Sequence, residues 1–225
     1  MNRQPLWRPT TRRRETLIRW APVLVIVTAS LALGLGEDEL RQWGRYDREA
    51  LESGELWRLV TAHLVHLGWG HLWLNLAALV MMAVLFDGLM SAADWVLASA
   101  LAALSIDIGL YLFHPDVAWY VGLSGSLHGM MIVGALALRR SVASLGYILL
   151  LGIGSKLIWE QLAGPIPFSE STSGGPVLVE AHLYGTIGGL LTQLTRLIGQ
   201  RRSQHRSAIL SRSQTSGDND GVNGA

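Results

Sequence analysis

The chain has 225 residues, of which 50% are apolar and 16% are charged, and its formal net charge is +1. Soluble domains contain about 25% charged residues, so this composition favours a membrane protein. The modest Lys and Arg content speaks against a nucleic-acid partner. The absence of cysteine excludes disulfides, thiolate metal sites and cysteine nucleophiles.

Six apolar windows follow one another along the chain, each close to the ~20 residues that a helix needs to cross a bilayer core. They are 17–36, 71–89, 92–113, 121–138, 141–162 and 177–198. A basic stretch precedes the first window, as in a secretory signal peptide, but this window is long and its cleavage pattern is weak. We therefore predict an all-α membrane protein with six transmembrane helices, the first being a retained anchor.

The distribution of arginine predicts the orientation in the membrane. Arginines cluster before the first window, between the fourth and fifth windows at Arg139 and Arg140, and after the sixth window. With six spans these regions share one side, which the positive-inside rule assigns to the cytoplasm. We predict cytoplasmic termini, with a basic arm over 1–16, a membrane domain over 17–199 and a disordered polar tail over 200–225.

Ser124 stands between Gly122 and Gly125 where a loop enters the fourth predicted helix. Glycines allow a sharp turn there and leave room for a substrate chain beside the hydroxyl. The N–H groups of a helix N-terminus favour a developing oxyanion. Ser124 is therefore a candidate nucleophile, although an N-cap serine between packing glycines gives the same pattern.

His182 lies near the start of the sixth predicted helix, on one face with Gly185 and Gly189. The two glycines form a small-xxx-small pattern that allows close approach of a neighbouring helix, which we expect to be the fourth. Such packing would bring His182 within hydrogen-bond reach of Ser124, where histidine suits the role of general base. A buried histidine bonded to a backbone carbonyl is the alternative.

His71 and Asn75 lie on one helical face at the start of the second predicted helix. Both side chains can donate hydrogen bonds, as an oxyanion hole requires. Together with His63 and His66 they also raise the possibility of a metal site. The cluster contains no HExxH motif and no carboxylate, so we predict no metal and no cofactor.

The other polar residues of the apolar windows carry weaker signals. Asp107 lies deep in the third window, where it could support packing or line a polar path. Lys156 and Glu160, spaced i, i+4, favour a structural ion pair over substrate binding. The proline-containing loop 164–176 is either a mobile cap over the site or an ordinary connection.

The motifs together resemble the rhomboid family of intramembrane serine proteases over residues 17–198. They are Trp57-Arg58, His66, His71-x-x-x-Asn75, Gly122-x-Ser124-Gly125 and His182-x-x-Gly185-x-x-x-Gly189. Two stretches, 54–66 and 122–129, are most similar to the rhombosortase subgroup. The resemblance implies a rhomboid-like bundle of six helices.

The resemblance also implies a role for each motif. Ser124 would be the nucleophile and His182 the general base, in a dyad without a third carboxylate. His71, Asn75 and the backbone N–H of Ser124 would form the oxyanion hole, with Gly122, Gly125, Gly185 and Gly189 shaping the site. His128 stands where many rhomboids have a tyrosine that stacks on the catalytic histidine. It would either tune the basicity of His182 or replace it as the base.

Substrate class and location follow from the subgroup resemblance. Rhombosortases are thought to process exported proteins with a C-terminal Gly-Gly-type sorting tail, which has a membrane helix followed by basic residues. We therefore expect membrane-anchored protein substrates, cleaved near the outer face of a bacterial inner membrane, with the site opening to the periplasm. The lipid bilayer is the other expected partner.

Three other functions compete with proteolysis. A catalytically silent relative would bind transmembrane helices, but it would be expected to lack the serine or the histidine. A transporter lined by histidine and aspartate would be expected to contain an internal repeat of broken helices, and the sequence has no such repeat. A metal-dependent membrane enzyme would contain bound metal, which elemental analysis detects.

Overall fold

The described part of the chain, residues 9–219 of this computed structural model, is mostly helical. Side chains are described for 14–36 and 38–204. The helices are α1 Pro9–Gly34, α2 Glu37–Gly44, α3 Arg48–Glu52, α4 Arg58–Thr61, α5 Trp69–Leu85, α6 Ala92–Phe113, α7 Ser124–Leu138, α8 Ala143–Ala163, α9 Ser169–Ser173 and α10 Val179–Asn219. Two short strands, β1 Tyr46–Asp47 and β2 Trp119–Tyr120, pair antiparallel.

The six apolar windows correspond to the six long helices among the described residues. Within those residues, three segments are long and apolar enough to cross a membrane: Arg14–Gly34, Ala92–Phe113 and Ala143–Ala163. Helices α5 and α7 are apolar but have only 17 and 15 residues. The chain is thus an integral membrane protein by composition, and the crossing of the bilayer by all six helices stays a prediction.

Helices α6, α7 and α10 form the centre of the bundle. A Cβ atom on Gly185 of α10 would overlap the carbonyl oxygen of Gly125 in α7, and one on Gly188 would overlap the carbonyl oxygen of Leu101 in α6. Small residues at these contacts let the backbones meet directly, which is how helices pack when lipid supplies no hydrophobic drive between them. Helix α1 packs against α5 and α6, and α8 packs against α7 and α10.

The segment between α1 and α5 folds over one end of this bundle. The buried guanidinium of Arg58 donates hydrogen bonds to the carbonyls of Gln42 and Arg45 at 2.7 and 2.9 Å. Tyr46 pairs with Tyr120 in the two-stranded ladder. The prediction of an all-α fold omits this ladder, because strands of two residues are too short to produce an alternating pattern.

The opposite end of the bundle carries two ion pairs between helix ends. Arg19 of α1 lies 3.4 Å from Asp87, which follows α5, and Arg196 of α10 lies 3.0 Å from Asp94 of α6. Asp94 also completes a capping box with Ser91 at the start of α6. The start of α1 and the later part of α10 therefore approach the same end of the bundle, and the assignment of this end to the cytoplasm stays a prediction.

The last helix extends further than the sequence predicts. Helix α10 continues to Asn219, so it occupies most of the range 200–225 that composition marks as a disordered tail. That range contains no proline, and helix-compatible glutamine, arginine and alanine follow the apolar window, so nothing stops the helix at residue 199. Residues 1–8 of the predicted arm and 220–225 of the predicted tail lie outside the described residues.

Candidate functional site

Ser124 is the first residue of α7, and hydrogen bonds to the backbone of Gly122 hold the loop before it. Gly122 has a φ of +121°, a conformation that favours glycine, and a Cβ atom there would lie 2.8 Å from the ring of His71. The Gly122 N–H donates to the carbonyl of Ala62 at 2.8 Å, and the Tyr120 hydroxyl donates to the Gly122 carbonyl at 2.7 Å. Glycine at 122 therefore lets His71 lie directly against the loop that leads to Ser124.

His182 lies in the first turn of α10 and meets Ser124 across the α7–α10 contact. The distance from His182 Nε2 to Ser124 Oγ is 3.1 Å, and His182 is buried. Just below this pair, a Cβ atom on Gly125 would lie 2.7 Å from the carbonyl oxygen of Ala181. The close helix packing expected from the glycine spacing thus brings the hydroxyl and the imidazole within hydrogen-bond distance.

His128 lies flat against His182 one turn after Ser124. The two imidazole rings are 4.2 Å apart between centroids, with an interplanar angle of 15°. His128 Nδ1 lies 2.8 Å from the carbonyl oxygen of Ser124, so it carries the hydrogen and donates to the backbone. His128 therefore donates its hydrogen bond to the main chain of α7 and contacts His182 through the face of its ring.

Glu160 and Lys156 of α8 join the same cluster, which the sequence did not predict. Glu160 Oε2 lies 3.0 Å from His182 Nδ1, and Lys156 Nζ donates to Glu160 Oε1. Glu160 is only 3% exposed. The expected i, i+4 ion pair is present, but the dyad without a carboxylate that the resemblance implied is not what the geometry shows. A buried acidic residue in an apolar helix was the available signal, because such residues are costly and usually functional.

His71 lies against the loop before Ser124, and Asn75 follows one turn later in α5; neither side chain has a described hydrogen bond to Ser124. Both are buried, and His71 packs against the backbone at Gly122. Asn75 Nδ2 donates to the carbonyl oxygen of His71 at 3.0 Å within α5. His71 Nδ1 is buried without a hydrogen-bond partner among the described residues. One side of the site thus offers polar nitrogen groups that are not fully engaged.

The remaining histidines of the early cluster separate from one another. His63 Nε2 lies 3.3 Å from Asp107 Oδ1, and both side chains are buried, so Asp107 has a packing partner in the loop between α4 and α5. His66 Nδ1 donates to the Leu64 carbonyl at 3.0 Å, and its ring meets the His71 ring edge to face at 5.0 Å. The three histidines therefore do not converge on a common point, as a metal site would require.

A different trio could offer metal ligands by distance alone. Among the described residues, ligand atoms of His128, Glu160 and His182 lie within 4.8 Å of one another. The ammonium nitrogen of Lys156 lies 3.3 Å from His182 Nδ1, however, and a cation there would be repelled by it. The two imidazoles also stack face to face instead of directing lone pairs at a common point. The donor set suits proton transfer better than metal coordination.

The loop after α8 covers the same end of the bundle. Gly164 and Gly174, with φ values of +80° and +78°, stand on either side of α9. A cavity of about 340 Å³ separates this loop from the segment before Ser124, and its lining includes Leu67, Val121 and Pro176. The end of this loop is therefore separated by open space from the residues just before Ser124.

The environment of His66 predicts a dependence of stability on pH. Burial, together with the neighbouring His71, lowers the pKa of His66 to about 3. Below pH ~6.5 the unfolded chain therefore binds more protons than the folded protein. The unfolding free energy should decrease as the pH is lowered, by at most ~1.4 kcal/mol per pH unit, until about pH 3. His66→Asn can keep a donor to the Leu64 carbonyl but does not titrate.

Denaturation in mild detergent at several pH values measures this difference. When the pH is lowered from 6.5 to 5, the unfolding free energy of the parent should decrease by about 2 kcal/mol more than that of His66→Asn. Near pH 7.5 a small change in pH should affect the unfolding free energies of the two proteins equally. Equal slopes in the parent and the variant would contradict the assignment of His66 as a neutral buried group.

Comparison with known proteins places the chain in a family. The family model described as "Rhomboid domain" matches residues 53–198, which is more than half of the chain. A Bacillus subtilis (strain 168) protein named "Putative rhomboid protease YdcA" is 30% identical over 139 residues, which are 62% of this chain and 66% of that protein. The matched region begins directly after α3, ends within α10 and contains the residues of the site just described.

Proposed function

This chain belongs to the rhomboid family, whose members are intramembrane serine proteases, and we propose that it hydrolyses peptide bonds with Ser124 as nucleophile and His182 as general base. The observation that carries the proposal is the 3.1 Å distance between His182 Nε2 and Ser124 Oγ. The two residues are 58 positions apart in sequence and lie in different helices. A serine hydroxyl in reach of a neutral imidazole is the minimum arrangement for acyl transfer.

The proposed reaction runs in two halves. Ser124 Oγ attacks the scissile carbonyl carbon while its proton passes to His182 Nε2, and the carbonyl π electrons form an oxyanion. Collapse of this intermediate breaks the C–N bond, and the leaving amine takes the proton from His182 Nε2. A water molecule then gives a proton to His182 and attacks the Ser124 ester. Collapse of this second tetrahedral intermediate releases the carboxylic acid, and His182 returns the proton to Ser124 Oγ.

The oxyanion needs donors on the side of the site opposite His182. The backbone N–H of Ser124 is at the N-terminus of α7, where the N–H groups lack helical partners. His71 lies against Gly122, two residues before the nucleophile. We propose that His71 and Asn75 complete the oxyanion hole, with the Asn75 amide exchanging its bond to the His71 carbonyl for one to the substrate.

The substrate class is proposed from the subgroup resemblance. We propose six transmembrane helices with cytoplasmic termini and a site open to the outer face, which in a bacterial inner membrane is the periplasmic face. Membrane-anchored exported proteins with a C-terminal Gly-Gly-type tail would be the substrates. A helical peptide bond is protected by its own hydrogen bonds, so the substrate must unwind locally, and a Gly-Gly pair lowers that cost.

Replacement of Ser124 by alanine tests the proposal without a known substrate. A fluorescent fluorophosphonate should label the purified parent in mild detergent, because only an activated serine attacks the probe at a useful rate. Ser124→Ala should abolish the labelling. Ser126→Ala, which removes a buried hydroxyl from the same helix, is the matched control and should keep it.

Two outcomes would contradict the proposal. Labelling that persists in Ser124→Ala would assign the reactive serine elsewhere. A well-folded parent that takes up no label, while a serine protease in the same detergent does, would favour a catalytically silent protein that binds transmembrane helices.

A further inference from the structure

We infer that Glu160 is a positioning residue that keeps the hydrogen of His182 on Nδ1, and that Lys156 in turn fixes the orientation of the Glu160 carboxylate. The inference rests on the proposed roles of Ser124 and His182 and adds a third and a fourth residue to that site. Glu160 would act through His182 and would not touch the substrate.

The geometry gives each carboxylate oxygen a different partner. Glu160 Oε1 accepts a hydrogen bond from Lys156 Nζ one turn earlier in α8, and Glu160 Oε2 lies 3.0 Å from His182 Nδ1. Glu160 is 3% exposed, whereas the Lys156 side chain is 31% exposed. A surface ion pair would not need its acid buried against an imidazole, so the contact with His182 distinguishes this pair from a merely structural one.

The role follows from the hydrogen count at His182. To accept the Ser124 proton, Nε2 must carry a lone pair, and in a neutral imidazole this requires the hydrogen to be on Nδ1. A carboxylate beside Nδ1 can only accept, so it selects this tautomer. Lys156 Nζ, which lies 3.3 Å from the same Nδ1, can only donate and would select the opposite one. Glu160 therefore decides between two tautomers for which the site contains opposing partners.

The other groups that face His182 do not perform this selection. His128 of α7 contacts its ring face, and Ser124 contacts Nε2. His71 of α5 lies on the Gly122 side of the site. Among the described contacts of Nδ1, Glu160 supplies the acceptor and Lys156 the donor. When the serine proton reaches Nε2, the carboxylate also balances the positive charge of the imidazolium.

Glu160→Gln is the decisive variant because it changes one oxygen to an NH₂ group at constant size. Lys156 can only donate, so it should hold the amide oxygen and turn the NH₂ group toward Nδ1. The hydrogen of His182 then moves to Nε2, where it blocks proton transfer from Ser124. We expect the rate of Ser124 labelling by the fluorophosphonate to fall about 100- to 10,000-fold, as expected for a triad histidine held in the wrong tautomer.

A second substitution should reverse the defect. In the double variant Glu160→Gln/Lys156→Met the amide is free to rotate, so its oxygen can accept from Nδ1–H. We expect the double variant to label at least ~10-fold faster than Glu160→Gln, and Lys156→Met alone to stay within ~10-fold of the parent. A purely structural ion pair predicts the opposite order, with no recovery in the double variant. Thermal unfolding of all four proteins shows which of them are folded.

A spectroscopic measurement tests the tautomer independently of activity. In protein with ¹⁵N-labelled histidine, the His182 ring signals, assigned by their loss in His182→Ala, should report a hydrogen on Nδ1 in the parent. In Glu160→Gln they should report it on Nε2, and in the double variant on Nδ1 again. This readout remains informative even when the parent takes up no label, so failure of the proposed function and failure of this inference can be told apart.

The inference is overturned by either of two results. One is a folded Glu160→Gln protein that labels within ~3-fold of the parent, since a wrong tautomer costs far more than that. The other is a His182 tautomer that is the same in the parent and in Glu160→Gln.

Discussion

Replacement of His182 by alanine should lower the rate of Ser124 labelling by at least ~1,000-fold, whereas replacement of His128 should lower it no more than ~10-fold. Among the described residues, His182 Nε2 is the basic nitrogen that lies 3.1 Å from Ser124 Oγ. Without this nitrogen the proton of the serine loses that acceptor. His128 Nδ1 is bound to the Ser124 carbonyl, and the ring contributes only its face to His182. Such a stack is worth about 0.5–1.5 kcal/mol, or up to about 10-fold in rate.

His128→Phe is the matched variant for this comparison. It keeps an aromatic face against His182 but has no nitrogen, so it should label faster than His128→Ala if stacking is what His128 supplies. The labelling rate of each variant is measured under one set of conditions, with unfolding temperatures to show that the proteins are folded. Labelling that survives His182→Ala and disappears in both His128 variants would make His128 the base.

Replacement of Gly185 by alanine should destabilise the protein by at least ~3 kcal/mol and remove labelling as well. The added methyl group would overlap the carbonyl oxygen of Gly125, which belongs to a backbone and cannot rotate away. Overpacking of a core costs ~1–3 kcal/mol even when flexible side chains can adjust. Here α7 and α10 must separate instead, which also moves Ser124 away from His182.

Gly152→Ala in α8 is the control for Gly185→Ala. A Cβ atom on Gly152 meets nothing within 4 Å, so the substitution adds the same methyl group in a helix without a clash. It should leave the unfolding temperature in the same detergent unchanged or slightly raised, because alanine is the better helix former. A Gly185→Ala protein with the unfolding temperature of the parent would show that the two helices are further apart than described.

The sequence predicts the long helices well because each is marked by hydropathy. Helix α6 has the predicted ends, 92 and 113, while α7 begins at Ser124 instead of residue 121 because the preceding Gly122 has a left-handed φ. The short elements between α1 and α5 are missed. They are fixed by contacts such as those of Arg58, which connect residues distant in sequence and leave no periodic pattern.

The approach of Ser124 and His182 follows from residues that the sequence displays directly. The spacing of Gly185 and Gly189 marks a face for close packing, and His182 lies on that face. The contact of Glu160 with His182 could not be derived in the same way. Helix α8 is apolar around most of its circumference, so its sequence does not specify which side faces α10, and only the packed structure gives that rotation.

The direct backbone contact between α7 and α10 limits how a substrate can enter. The axes of packed helices are normally 8–10 Å apart. A transmembrane segment that passes between two helices needs about this distance to each of them. At Gly125 and Gly185 there is no space even for a methyl group, and at Gly188 the same holds between α6 and α10. A transmembrane substrate of the proposed class would therefore find no path to Ser124 through these two contacts, and we expect it to approach past α5 or α8 instead.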